Sequence, residues 1–162
     1  MLGKDIEAAL QVYAQHHVFL GTYQNGARPE IPIGCYAIFN TRKESSEHEL
    51  QSKSDIIAHW IVIGRPEATL YEVFDSQPRQ TNEIFYFFDN LSGNIIINTI
   101  DLMPEACGLC GEFAIFFLVV RLSNMDLDFT TVLNLYFSVN KEDNKSKVLQ
   151  LLHHLKAESP SL

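Results

Sequence analysis

The stretch HWIVIGRPEATLYEVFD, residues 59–75, decides the fold. Residues 59–64 and 69–75 are rich in β-branched and aromatic side chains, and the short link at 65–68 makes them an antiparallel hairpin. Setting His59 opposite Asp75 puts Trp60 opposite Phe74, Ile61 opposite Val73 and Val62 opposite Glu72, with the loop at residues 66–68. Directly opposed residues share a face at about 5 Å between Cβ atoms, so imidazole and carboxylate become neighbours. Glu72 has the other parity and points to the opposite face, so this reading leaves it outside any site that uses His59.

Outward from the hairpin, the elements suggest an α+β domain. Asp5 precedes an apolar set at Ile6, Leu10 and Tyr13, which reads as an amphipathic first helix. Residues 21–32, rich in Gly, Asn and Pro, read as loop, and 33–40 (IGCYAIFN) as a strand. Residues 41–58 are dominated by charge and serine and read as an exposed insertion, about 42–57, that splits two strands without separating domains. Residues 77–91 fit a helix, with an aromatic run at 84–88 that also suits a strand, and 94–100 (NIIINTI) fit a strand. Helices are expected at 110–121, 128–137 and 142–157. The order implies a single domain over residues 1–162, a mixed sheet covered by helices.

Composition narrows the function. Twelve Lys plus Arg against twenty Asp plus Glu give a net charge of -8, which argues against DNA as the main partner, because phosphate binding needs clustered cations. No apolar run approaches the roughly 20 residues of a membrane span, and the first ten residues lack the apolar block of a signal peptide. Three cysteines make no disulfide framework in a chain this long. A soluble protein of a reducing compartment is expected.

Those cysteines are the most informative residues. A thiol nucleophile needs a base in reach and a third group to orient that base. Cys107 and Cys110 lie in EACGLCGEFAIFFLVV, where irregular chain gives way to a strongly apolar helix. A cysteine in the first turn feels the positive end of the helix dipole, which favours the thiolate, and Cys110 occupies that turn. Two inert core thiols, a redox dithiol and a zinc site are the competing readings. The redox reading leaves His59 and Asp75 unused, and the zinc reading lacks two ligands.

Taken in order, six segments resemble the adenovirus-type cysteine proteases, the adenain family. They are VFLGTYQNG (18–26), CYAIFNT (35–41), the pair His59-Trp60, YEVFDSQ (71–77), CGEFAIFFL (110–118) and NMDLDFTTVLNL (124–135). The Phe-Asp-Ser of the fourth is also similar to the related SUMO-specific proteases. The resemblance implies an adenain-like fold with the nucleophile at a helix N-terminus. It favours Cys110 as nucleophile, because Phe113, Phe117 and Leu118 then take the family's apolar positions, and it leaves Cys107 as the alternative. His59 and Asp75 complete a Cys-His-Asp triad, and Trp60 either lines or shields the site or is an ordinary core tryptophan.

The same resemblance implies a viral-type endopeptidase that processes virion precursor proteins, cutting after Gly. It would need no cofactor and no membrane, and would work in the host nucleus or cytoplasm and in the virion. One departure matters. The family's oxyanion glutamine lies six or seven residues before the nucleophile, where this chain has Met103 and Pro104. Glu105, Asn98 or main-chain amides are the candidate replacements. The strand at 93–101 carries no cysteine to which an activating peptide could disulfide-bond, so a partner peptide would bind non-covalently. A ubiquitin- or SUMO-type isopeptidase and a pseudo-protease acting by binding are the rival functions.

Overall fold

In the computed structural model the hairpin is the middle of a five-stranded mixed sheet. The structure describes residues 3–24, 29–41, 59–78, 93–105 and 107–158. The expected insertion at 42–57 and most of the segment at 77–91 lie outside them. Within them the chain forms α1 (Gly3–Ala9), α2 (Gln11–Gln15), β1 (Phe19–Tyr23), β2 (Cys35–Asn40), β3 (Trp60–Glu67), β4 (Leu70–Asp75), β5 (Asn94–Ile97), α3 (Cys110–Leu122), α4 (Phe129–Tyr136) and α5 (Lys141–Glu158). Strand order follows the sequence. β1–β2 and β4–β5 are parallel, β2–β3 and β3–β4 antiparallel. This is the α+β arrangement expected, a mixed sheet packed by helices.

The hairpin register differs from the sequence reading by two residues. Ile61, not His59, stands opposite Asp75, and Gly64 stands opposite Glu72. A register shift between Gly64 and Glu67 brings the turn to Ala68 and Thr69. An even slip leaves every side chain on the face that the sequence implied, whereas a slip of one would have inverted them. His59, just before β3, therefore lies diagonally from Asp75.

Two further expectations change. The first helix is interrupted at Leu10 (φ −107°, ψ 12°), which is fully buried together with Ile6. Residues 21–23, read as loop from their Gly-Asn-Pro surroundings, are part of β1. Gly21 adopts φ +114°, open to glycine at little cost, and the β1–β2 register shifts between Phe19 and Thr22. Glu7 Oε1 accepts hydrogen bonds from Thr22 N–H and Oγ1, at 3.0 and 2.6 Å, which ties this edge strand to α1.

Helix α3 packs on β3 and β4 and also meets α1, α4 and α5. Surrounded in this way it is apolar on nearly every side, with Phe113, Ala114, Ile115, Phe117 and Leu118 buried. Phe117 stacks on Phe74 of β4 with ring centroids 4.3 Å apart, and Phe137 leans on the same ring. The other sheet face buries a second, smaller cluster of Ile31, Cys35, Ala37, Phe39, Ile61, Ile63, Tyr71 and Val73.

Beneath the C-terminal end of α3 sits a buried ion pair. Arg121 donates from Nε and Nη2 to the two oxygens of Glu72 at 2.8 and 2.9 Å, and Tyr36 donates its hydroxyl to the same carboxylate at 2.8 Å. Burial, and then the Glu72 charge, raise the Tyr36 phenol, which stays a donor. The Tyr36 ring lies across Gly64, where a Cβ would run into it.

Glu72 is thus structural, not idle. Removing one partner of a buried pair strands the other charge at about 3–5 kcal/mol. Glu72→Gln is expected to lower unfolding free energy in urea by about that amount. A loss below about 1 kcal/mol would mean that the pair does not hold α3 to β4.

Candidate active site

The site lies at the end of the sheet where β3 begins and β4 ends. His59 Nε2 donates to Asp75 Oδ1 at 2.7 Å, and both side chains are buried. The other polar partner of the ring is the Cys110 thiol, on the first residue of α3. With Nε2 taken by Asp75, Nδ1 is the ring nitrogen left for the sulfur. The sequence therefore brings His59, Asp75 and Cys110 together as expected, although its register was two residues out.

His59 and Asp75 are tied to neighbouring residues by hydrogen bonds that involve main chain. Thr41 donates from its N–H and Oγ1 to the carbonyl of His59, at 2.9 and 3.3 Å. Asp75 Oδ1 also accepts from Gln77 N–H at 2.7 Å, an Asx-type turn in which the carboxylate folds over its own chain. Asp75 Oδ2 is buried without a hydrogen-bond partner, so the carboxylate's compensation comes through Oδ1. Cys110 is reached through Gly108, whose φ of +63° lies in the left-handed region. Leu109, the residue before α3, supplies no side-chain cap, so main-chain amides dominate that helix start.

Electrostatics favour the charged imidazole. Burial alone would lower the His59 imidazole, but hydrogen bonds to Asp75 and Cys110, and the negative charge of each, push it up to about 9. An imidazolium at neutral pH beside a thiol is the arrangement in which a cysteine acts as thiolate. Among the described residues no group of His, Cys, Asp and Glu could hold a metal ion, and no helix is long and apolar enough to cross a membrane.

The remaining candidates separate. Cys107 is half-buried, packs at the rim of the core, and does not figure among the groups acting on His59. Asn98 does not serve as an oxyanion donor: its Nδ2 is committed to the carbonyls of Asp75 and Ile100, at 2.6 and 3.1 Å. Glu105 is exposed on the chain leading to α3. Met103 fills the core instead of facing a substrate, with Ser76 Oγ 3.8 Å from its sulfur. Trp60 is a core residue at 3% exposure, its ring close to Gly3 of α1, and it does not line a groove. The clamps by Thr41 and Asn98 were not visible in the sequence, because nothing in residue type tells which main-chain group a buried amide or hydroxyl will meet.

A scan against protein-family models and a search of curated proteins give no match to this chain.

The raised imidazole makes the site measurable. Its folded value lies above the ordinary 6.5, so His59 contributes stability that is complete below about 6.5 and lost as pH rises through about 9. In an NMR titration the His59 ring should titrate near 9. Asp75→Asn and Cys110→Ala should each bring it down, and Cys107→Ala should leave it. A ring that follows Cys107 instead would reassign the thiol.

Proposed function

We propose that this chain is a cysteine endopeptidase of the adenain type, processing viral precursor proteins. One observation carries the reading: a buried imidazole that bonds a carboxylate through Nε2 and has the thiol at the start of α3 as its other polar partner. The adenain-like order of segments supports it, as does α3 beginning at Cys110.

The chemistry follows from the charged pair. The Cys110 thiolate attacks the scissile carbonyl carbon, and the resulting oxyanion faces main-chain amides at the start of α3. His59, as imidazolium, gives its Nδ1 proton to the leaving amine, and the C–N bond breaks to leave an acyl-cysteine. Neutral His59 then takes a proton from water, whose oxygen attacks the thioester and regenerates the thiolate. Asp75 holds the ring and stabilises its charged form throughout.

The surroundings bear on partners. Among the described residues, Lys141 pairs with Asp101, Lys145 with Glu142 and Arg121 with Glu72, so these cations are offset locally. With the net charge of -8, this favours an enzyme that works without DNA. β5 carries no cysteine, so an activating peptide that pairs with that strand binds non-covalently.

A second reading is favoured by one observation: buried Met103 occupies a place where the family has its oxyanion glutamine. Loss of such a donor costs on the order of 10²- to 10³-fold in rate, and a pseudo-protease retained for binding would tolerate it. The isopeptidase alternative uses the same triad on a diglycine tail.

Cleavage assays on glycine-containing viral precursor peptides and on ubiquitin-like substrates separate these functions. Cys110→Ala is expected to abolish cleavage with the fold intact. Asp75→Asn should reduce turnover strongly, by analogy with the roughly 10⁴-fold loss in a serine triad. Wild-type activity should not respond to DNA at physiological salt. Cleavage only of ubiquitin-like tails would favour the isopeptidase. Full activity in Cys110→Ala would remove the proposal.

A further inference from the structure

We infer that Asn98 is a positioning residue of this site: its side-chain amide substitutes for a strand's peptide group and fixes the main chain of Asp75. The inference deepens the protease reading and rests on it only for the role of the thiol.

β4 and β5 run parallel and pair as far as Val73 with Ile97. β5 ends at that pair, although β4 continues two residues beyond Val73 to Asp75. There the ladder passes from main chain to side chain. Asn98 N–H still approaches the carbonyl of Val73 at 3.4 Å. Its Oδ1 then accepts from Asp75 N–H at 2.8 Å, and its Nδ2 donates to Asp75 C=O at 2.6 Å. A carboxamide offers an acceptor and a donor in one plane, as a peptide group does, so both main-chain groups of Asp75 are satisfied without a partner strand.

The second Nδ2 hydrogen goes to the carbonyl of Ile100 at 3.1 Å, turning the chain away from the sheet. Asn98 is 4% exposed, so these bonds are made out of competition with water. On its other side Asp75 stands opposite Ile61 of β3. With Asp75 N–H and C=O both fixed, the direction of its Cα–Cβ bond is fixed too, and the carboxylate is held at 2.7 Å from the His59 ring. Few other side chains can do this. Aspartate lacks the donor, glutamine is a methylene too long, and serine offers one oxygen.

A positioning role and a merely structural one differ in what they move. Asn144 gives the control. It is 1% exposed and clamps main chain in the same way, donating to the carbonyls of Leu102 and Ser138 and accepting from Ser138 N–H. It does so in a cluster with no contact to His59. The titratable groups facing His59 are Asp75 from β4 and Cys110 from α3.

The experiment is an NMR titration of the His59 ring in the whole chain, with urea unfolding run on every variant. Asn98→Ala should titrate at least about one pH unit below wild type, because a carboxylate free to drift loses its hold on the imidazolium. On peptide substrate the same variant should lose at least about tenfold in kcat with KM within about twofold. Should Asn98→Ala not fold, Asn98→Ser, which keeps a single neutral hydroxyl near Asp75 and adds no charge, gives the same reading. Asn144→Ala should lose stability and leave the His59 titration at its wild-type value. Folded Asn98 variants with an unmoved His59 titration would overturn the inference, as would an equal displacement in Asn144→Ala. If the protein cleaves no peptide at all, the protease reading fails by that result, while the titration still decides the role of Asn98.

Discussion

The seat of α3 against β4 is the constraint on which the rest depends, and the buried pair Arg121–Glu72 fixes it. Arg121 sits near the C-terminal end of the helix and Cys110 at its start, eleven residues and about 16 Å of helix away. A helix anchored at one end and packed on all sides can neither slide nor rotate freely. Its first residue is therefore delivered to one place, beside the ring of His59. The two carboxylates of β4 divide the labour by parity: Glu72 turns toward α3 and holds it, while Asp75, three residues on, holds His59.

The site is framed by bonds between side chains and main chain. Thr41 fixes the carbonyl of His59, Asn98 both polar groups of Asp75, and Gln77 N–H the carboxylate itself. Each lies where a strand is about to end and the ladder can no longer supply partners. Buried peptide groups must be paired, so strand ends near a buried site call for side chains that imitate the ladder. That requirement explains why Thr41 and Asn98 are buried around the start of β3 and the end of β4.

Much of this was legible in the sequence, and the misses have physical causes. Alternation along residues 59–64 and 69–75 assigned His59 and Asp75 to one side and Glu72 to the other. That assignment survived a two-residue error in register because parity is insensitive to an even slip. The turn position was missed because Pro66 reads as loop, whereas it sits inside β3 at the irregularity between Gly64 and Glu67. β1 was missed because its glycine and the residues after it look like loop, while the bonds that stabilise it come from Glu7, fifteen residues earlier. Parity puts Glu72 outside the His59 site, but its structural role is not legible, because nothing local announces a partner 49 residues away. Apolar periodicity placed α3, α4 and α5 well, since packing dominates those helices. Asn98 was recognised as a polar residue of the site, but given the wrong task.

The central claim is that Cys110 is a nucleophile activated by the His59–Asp75 pair. Its most direct test is to treat the protein with a glycine-ended peptide vinyl sulfone and map the covalent adduct by mass spectrometry. The account predicts one adduct, on Cys110, whose formation is lost in His59→Ala, with Cys35 and Cys107 unmodified. An adduct on Cys107, or labelling of Cys110 that proceeds equally well without His59, would contradict it.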